Sequence, residues 1–453
     1  MLAEAIQRYH DLLDDSLARE CWERLAEAQR RRGVLLRDRP LCSVLRPRLV
    51  PSTQYRWMEE RVKVLLEAFA RLHQLAAADP SFRSRFRLSP EEETLFGIEP
   101  GYRCPIPNSR LDAFMSGEVG QEKHLWFTEF NAETPAAAAY TDELGEIFQT
   151  LPIMTAFRKR YRLEAKPARP GTLLALLESF AQWRGSRSEP PRLAILDWAE
   201  VPTFTEFVLF QRYFEANGLE CVIADPREMS YREGRLWSKS GPVNLIYKRV
   251  LISELIERVG LDHAVIRAVR EGAVCLVNPF RCKPLYKKAS LAMLSDEANA
   301  ERFTAEQREV IAAHIPWTRV VEERRTVKQG RVIDLIPFIL ENRDTLVLKP
   351  NDDYGGKGIV LGWQVDAARW NEAVTLAMQK PHVVQERVPL GEEVFPLVSE
   401  GVLKFEPRLL DTAPFVFQGE FMDGCLTRLS TDPMLNVSAG TGSTVATFVI
   451  APR

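Results

Sequence analysis

Apolar residues recur at helical spacing early in the chain and at strand spacing later. Between residues 2 and 32, Leu2, Ile6, Tyr9, Leu13, Leu17, Cys21 and Leu25 fall three or four positions apart, which predicts helix, and Gly33 stops it. A second helix is predicted from about Thr53 to Ala78, with Trp57, Val64, Leu65, Ala68, Phe69 and Leu72 inward. Ser89-Pro90-Glu91-Glu92 has the form of a capping box with proline at the first helical position. Residues 1–100 are therefore expected to be a helical N-terminal region.

From 105 the texture changes. Short alternating runs at 109–115 and 124–131 predict strands, and an alanine-rich helix follows from about 135 to 150. Two polar stretches rich in Pro and Gly, 164–172 and 184–191, flank a helix and lead into a new unit. Residues 101–190 are taken as the first part of a core. Residues 191–280 then alternate strand and helix: Leu193–Leu196, Glu220–Ala224, Val243–Tyr247 and Val274–Val277 read as strands, and Thr205–Asn217 as a helix ended by Gly218. Apolar strands alternating with helices predict a parallel sheet covered on both faces. No G-x-G-x-x-G follows the first strand, so a dinucleotide site is not signalled. Within 281–453, the pattern is mainly helical to 345 and mainly strand from 346. The expected class is α/β, mixed with α+β segments.

At 453 residues the chain is too long for one hydrophobic core. Lys plus Arg number 60 against 62 Asp plus Glu, a net charge of -2, which gives no footprint for nucleic acid or an anionic membrane. No apolar run approaches the ~20 residues of a membrane span. The acidic, amphipathic start MLAEAIQRYHDLLDD lacks the form of a signal peptide. The seven cysteines are scattered with no C-x-x-C pair, which reads as small core residues in a reducing, cytoplasmic setting. The histidines have no ligand spacing, so zinc is not expected.

Four segments carry candidate chemistry. In SRLDAF (109–114) and WFTEFNAETP (126–135), period two puts Arg110 with Asp112 on one strand face and Glu129 with Asn131 on another. Gly117 and Gly120 make a hairpin natural. If Asp112 pairs with Glu129, the antiparallel register also pairs Arg110 with Asn131. Two carboxylates and an amide oxygen on one face suit Mg²⁺, and Arg110 beside them suits a transferring phosphoryl group. The same residues also fit a solvated hairpin face. The second segment, LVLKPNDDYGGKGIVLG (346–362), delivers Lys349 on an apolar strand, then a loop with Gly355, Gly356, Lys357 and Gly358. Glycines let backbone N–H groups approach phosphate. It is not a Walker loop, and a flexible hairpin turn is the alternative. In VVQERV (383–388), Gln385 and Glu386 sit on a strand that can offer a backbone edge to adenine. Last come Asp411, Arg428 in GCLTRLS, and Asn436, Gly440 and Gly442 in a small-residue segment that lines a ligand or makes turns.

Taken in order, these motifs resemble the circularly permuted ATP-grasp proteins, in particular the synthetase domain of glutathionylspermidine synthase. There an R-x-D strand precedes an E-x-N strand and the lysine and glycine-loop elements come later; here these are Arg110–Asp112, Glu129–Asn131 and Lys349–Gly358. The resemblance covers roughly residues 100–453. It implies a permuted ATP-grasp fold with a Rossmann-like substrate domain at 191–280. It implies magnesium held by Asp112, Glu129 and Asn131. ATP would be held by Lys288 (with Lys287 competing), Lys349, the glycine-rich loop, Gln385 and Glu386. Arg110 and Arg428 would act on the transferring phosphate. The implied activity is an ATP- and Mg²⁺-dependent carboxylate–amine ligase acting on a small-molecule or peptide carboxylate and an amine. A kinase-like phosphotransferase and a degenerate nucleotide-binding module share every motif. Two features depart from the family: no N-terminal cysteine amidase domain is recognisable, and the ending NVSAGTGSTVATFVI is closer to other permuted ATP-grasp proteins. Glu133, Asp142 and Glu143 are acids near the metal strand, suited either to a polyamine or to a solvated helix start.

Overall fold

A computed structural model describes residues 1–116, 124–435 and 442–453. The turn with Gly117 and Gly120, and the positions Asn436 and Gly440, lie outside the described residues.

The architecture is mixed α and β, as expected. Its centre is an antiparallel sheet built from two distant stretches of chain. Asn108–Ser116 pairs with His124–Asn131 on one side and with Ala413–Phe417 on the other. Phe421–Ser430, Val402–Leu410 and Gly391–Ser399 continue the sheet to its edge. Within the first hairpin Arg110 faces Asn131 and Asp112 faces Glu129, the register supposed above for these four side chains. Past Asp112 the register slips by one, because Ala113 faces Phe127 and leaves Thr128 as a bulge.

The second sheet is parallel, in the order Cys275–Val277, Leu245–Lys248, Arg192–Leu196, Glu220–Ala224. The run Val243–Tyr247, expected as one strand, is divided. Gly241–Val243 joins a small antiparallel sheet, and Leu245–Lys248 enters the parallel one. Asn244 makes the switch: its N–H donates to the Arg192 carbonyl, and its side-chain oxygen accepts from the Arg192 N–H at 2.8 Å.

The third sheet is antiparallel and orders Thr318–Val320, His382–Glu386, Leu346–Pro350 and Val360–Leu361. Helix Ala367–Gln379 covers it, burying Trp370, Ala373, Val374 and Ala377 against Leu346, Leu348 and Val384. This helix is an exception in a stretch that is otherwise mainly strand, as expected. Conversely, strands Thr318–Val320, Arg325–Lys328 and Arg331–Asp334 interrupt the stretch 281–345 read as mainly helical.

The N-terminal hundred residues are mostly helical. The expected helix 2–32 is two, Leu2–Asp11 and Asp15–Arg32, because the Asp14 side chain accepts from Leu17 N–H at 2.8 Å and caps the second. Gly33 ends it in the left-handed region, at φ 79°. Helix Ser52–Ala78 lies against the central hairpin, with the Phe69 and Phe130 rings 4.2 Å apart. The capping box at Ser89 is present. Strand Arg48–Pro51, which the sequence did not signal, pairs in parallel with the C-terminal strand Thr447–Pro452. All seven cysteines are free, and six are buried. No helix among the described residues is long and apolar enough to cross a membrane.

Helix Arg169–Arg184 packs on strand Ala413–Phe417, the neighbour of Asn108–Arg110, so tightly that a Cβ at Gly171 would lie 2.3 Å from the Phe417 ring. Gly171→Ala overpacks this contact and is expected to cost about 1–3 kcal/mol, read as a lowered urea midpoint. An unchanged midpoint would contradict the packing described.

Candidate active site

The three sheets meet around a cavity of about 990 Å³. Its lining includes Arg110, Asp112, Glu129, Asn131, Lys349, Gly355, Gly356, Gln385, Glu386 and Arg428, residues drawn from segments more than two hundred positions apart.

Asp112 is the most heavily engaged group. Arg110 grips it with two nitrogens, Nε to Oδ1 at 2.6 Å and Nη2 to Oδ2 at 3.0 Å. Arg428 adds Nη2 to Oδ2 at 2.9 Å. Burial pushes the Asp112 carboxyl up, but Arg110, Arg428 and the Asn131 amide outweigh it and hold it down at about 2. Arg428 is held in turn by Asp411, through its backbone N–H and its Nε, both at 2.6 Å. Burial raises the Asp411 carboxyl while Arg428 opposes the shift.

Lys349 stands at the end of an apolar strand, with its ammonium donating to Gln385 Oε1 at 2.6 Å and to the Thr128 carbonyl at 3.2 Å. Thr128 is the bulged residue, so the register slip supplies this acceptor. Burial lowers the Lys349 ammonium to about 8, with Lys288 adding to the fall and Glu129 opposing it.

Lys288 and Lys287 point to different places. Lys288 Nζ lies 3.2 Å from Glu129 and donates to the Asp353 carbonyl at 2.6 Å. Lys287 joins Glu92 and Asp352 at 2.8 and 2.7 Å, away from Glu129. Lys283 completes that second network, with Asp352 at 2.8 Å and Glu133 at 3.1 Å. Burial opposes the Lys283 charge, yet Glu133, Asp352 and Glu92 hold its ammonium well above the ordinary value. Glu133 also accepts from Lys248 and from the Ile252 N–H. Asp142 and Glu143 are bound by Arg169 at 3.2 and 2.7 Å. These three acids are therefore buried and paired, which corrects both the polyamine and the solvated reading of them.

The glycine-rich loop is tethered at its base. Asn351 accepts from Ala289 N–H at 2.8 Å and donates to the Phe86 carbonyl, while Asp352 holds the two lysines. Gly355 and Gly356 take positive φ, 64° and 76°, at the cavity wall. Gly358 is off the lining, and a Cβ there would strike Pro350 at 2.7 Å. Lys357 is also off the lining, with its side chain 80% exposed and 4.0 Å from Asp353.

Gln385 is in the interior of its sheet, paired with Thr318 on one side and Val347 on the other. Its backbone is thus not an open edge, and its side chain bridges Lys349 and Thr318. The strand leaves the ladder after Glu386, whose carboxylate meets Lys328 at 2.6 Å, and residues 386–390 line the cavity.

Several lining residues went unread in the sequence. Asp197, Trp198, Arg249 and Glu254 come from the carboxyl ends of the parallel strands and from the segments just beyond them; Leu36 and Leu41 come from the N-terminal region. Asp197 directly follows the apolar run Leu193–Leu196, a position where open α/β sheets bind ligands, and that signal was available. Among the described residues, no three His, Cys, Asp or Glu side chains are grouped to hold a metal; beside Asp112 and Glu129 the third oxygen donor is the Asn131 amide.

No protein-family model matches the chain, and no curated protein matches it in sequence. Among solved structures, a glutathione synthetase-like effector from Globodera pallida, in its apo form, superposes over 96% of this chain and 98% of its own, with a TM-score of 0.61 at 11% identity. The chain has an ATP-grasp fold. A RimK domain ATP-grasp protein from Sphaerobacter thermophilus matches 57% of this chain and 90% of its own at 15% identity, with a TM-score of 0.28. D-alanyl-alanine synthetase A from Vibrio cholerae matches 48% and 66% at 11% identity, with a TM-score of 0.23. At these TM-scores neither of the two carries weight beside the near-complete superposition.

Lys283→Met would leave Glu133, Asp352 and Glu92 buried around one fewer cation. The expected cost is about 3–5 kcal/mol, measured by urea unfolding. A loss below about 1 kcal/mol would mean the network is solvated rather than closed.

Proposed function

We propose that the protein is an ATP- and magnesium-dependent ligase that joins a carboxylate to an amine through an acyl phosphate, a circularly permuted member of the ATP-grasp group similar to glutathionylspermidine synthase. The observation that carries this reading is the convergence on one cavity of the Arg110–Asp112 and Glu129–Asn131 faces, with Lys349 and Arg428 beside them. The hairpin precedes the lysine strand in the chain, as a permuted order requires.

The donor set fits magnesium: two carboxylates and an amide oxygen on adjoining register positions are hard oxygen ligands. Asp112, Glu129 and Asn131 would hold Mg²⁺, which would supply neutralisation of phosphate charge. Lys288 and Lys349 would hold the phosphates, together with backbone N–H groups at Gly355 and Gly356. Lys357 points outward and adds only to the loop's charge. The backbone beyond Gln385 and Glu386 meets the adenine edge. A carboxylate oxygen of a small molecule or peptide attacks the γ-phosphorus, and the bond to ADP breaks. Arg110 and Arg428 stabilise the charge on the transferring oxygens. A neutral amine nitrogen then attacks the acyl carbon, phosphate leaves, and the nitrogen gives up its proton. Positioning and charge neutralisation suffice, so no side-chain nucleophile is needed.

Glu129→Gln and Asp112→Asn are expected to abolish ADP formation while the melting curve stays that of a folded protein. ADP formation comparable with the parent would remove the metal assignment. Product analysis separates the reactions: a ligase yields ADP, phosphate and an amide, a phosphotransferase yields a phosphate ester, and a binding module yields neither.

Lys349 supplies a pH test. Its ammonium, lowered by burial to about 8, carries charge below that pH and loses it above. ATP affinity is expected to fall as pH rises through about 8, and the fall should vanish in Lys349→Met. A parent profile that is flat across that range would count against a phosphate contact.

A further inference from the structure

Gln385 lines the cavity, yet its side chain is spent on the sheet that carries it. Strand His382–Glu386 runs between Thr318–Val320 and Leu346–Pro350, with Gln385 facing Thr318 on one side and Val347 on the other. Lys349 is two residues along from Val347, so it is the diagonal neighbour of Gln385 on the same face. The amide oxygen Oε1 accepts from Lys349 Nζ at 2.6 Å, and the amide nitrogen Nε2 donates to Thr318 Oγ1 at 3.0 Å. Gln385 is 2% exposed and Thr318 0%, so water competes for neither bond.

The direction of this amide is fixed twice. The Thr318 hydroxyl has one hydrogen, and it goes to the Pro316 carbonyl at 2.7 Å. Towards Gln385 the Thr318 oxygen can therefore only accept, which demands the amide nitrogen. An ammonium can only donate, so Lys349 demands the amide oxygen. A flipped amide would set nitrogen against ammonium and oxygen against a hydroxyl with no hydrogen to give, in a buried place. The second hold on Lys349 is the Thr128 carbonyl at 3.2 Å, another neutral oxygen that the backbone keeps in place. Glu129 and Asp112 on the hairpin and Lys288 ahead of helix Ala289–Ser295 act on its charge, but none of them pairs with Lys349 among the described residues. Neutral acceptors hold the ammonium without cancelling its charge. Two of its three hydrogens are spent in this way, and one remains for a ligand in the cavity.

We propose that Gln385 and Thr318 are positioning residues for Lys349: Thr318 orients the Gln385 amide, and the amide aims the ammonium at the phosphates. Gln385 thus acts on the nucleotide through Lys349 and not by reading the base. The phosphate as target rests on the ligase reading. The hold on Lys349 does not, because the sheet alone sets it.

Two measurements on the full chain test this, one of them without nucleotide. At a single pH, trace acetic anhydride labels the lysines, and the label on Lys349 is compared by peptide mass spectrometry with that on the exposed Lys357. Gln385→Met removes the acceptor, and Lys349 should acetylate about tenfold faster than in the parent. Thr318→Val should change the rate in the same direction, and serves if Gln385→Met does not fold. Thr318→Ser keeps the hydroxyl and should restore the parent rate. The second measurement is calorimetric titration of ATP with Mg²⁺. Gln385→Met should weaken binding about tenfold, and should add no further loss in a Lys349→Met background. Parent-like labelling in both Gln385→Met and Thr318→Val would overturn the proposal. So would parent-like ATP affinity in Gln385→Met when Lys349→Met loses it. A full further loss in the Lys349→Met background would overturn it as well, because Gln385 would then touch the nucleotide itself. If labelling responds as expected while Lys349→Met binds ATP like the parent, the phosphate contact in the ligase reading fails and the positioning of Lys349 stands.

Discussion

The site depends on one buried negative charge. Asp112 is almost out of solvent, and a carboxylate there is tolerable only because two guanidinium groups meet it. One of them, Arg110, comes from the same strand; the other, Arg428, arrives from a strand more than three hundred residues later and is itself steadied by Asp411. The chain Asp411–Arg428–Asp112–Arg110 thus ties the late strands of the central sheet to the early hairpin. An arrangement that separated these strands would strand a charge in the interior. The same pairing keeps the carboxylate ionised, which is the state a cation site requires.

Around that centre the charges are sorted into separate compartments. Lys349 and Lys288 face Glu129, whereas Lys283 and Lys287 are consumed by Asp352, Glu92 and Glu133 behind the glycine-rich loop. The second group fixes the base of the loop without offering charge to the cavity. The first is held by one carboxylate, two backbone carbonyls and Gln385, and of the pair only Lys349 lines the cavity. The side of the parallel sheet closes the cavity with charges of both signs, Asp197, Arg249, Glu254 and Arg258.

Local patterning was enough for much of this. Alternation in 109–115 and 124–131 told which residues of each strand share a face, while the pairing of Asp112 with Glu129 was a supposition that the register bears out. The bulge at Thr128 did not, because a one-residue slip leaves no trace in polarity when Phe127 and Phe130 are both apolar and buried. Choosing between Lys287 and Lys288 required the helix that starts at Ala289, since adjacent residues there diverge by a large angle. The break at Asp14 and the helix Ala367–Gln379 were legible in capping and in the Trp370, Ala373, Val374, Ala377 spacing, but were masked by stronger patterns beside them. The pairing of Arg48–Pro51 with the C-terminal strand spans almost the whole chain, and no local signal reports it. Glu254 escaped for a different reason, because only three-dimensional placement brings its helix to the cavity, whereas the place of Asp197 just past an apolar strand was readable.

The central claim is that Asp112, Glu129 and Asn131 hold magnesium against a nucleotide bound by the lysines. Calorimetric titration of ATP into the parent and into Glu129→Gln, each with and without Mg²⁺, tests it most directly. The account predicts tight binding by the parent only when Mg²⁺ is present, and no magnesium enhancement in the variant. Magnesium-independent binding, or an equal enhancement in both proteins, would contradict it.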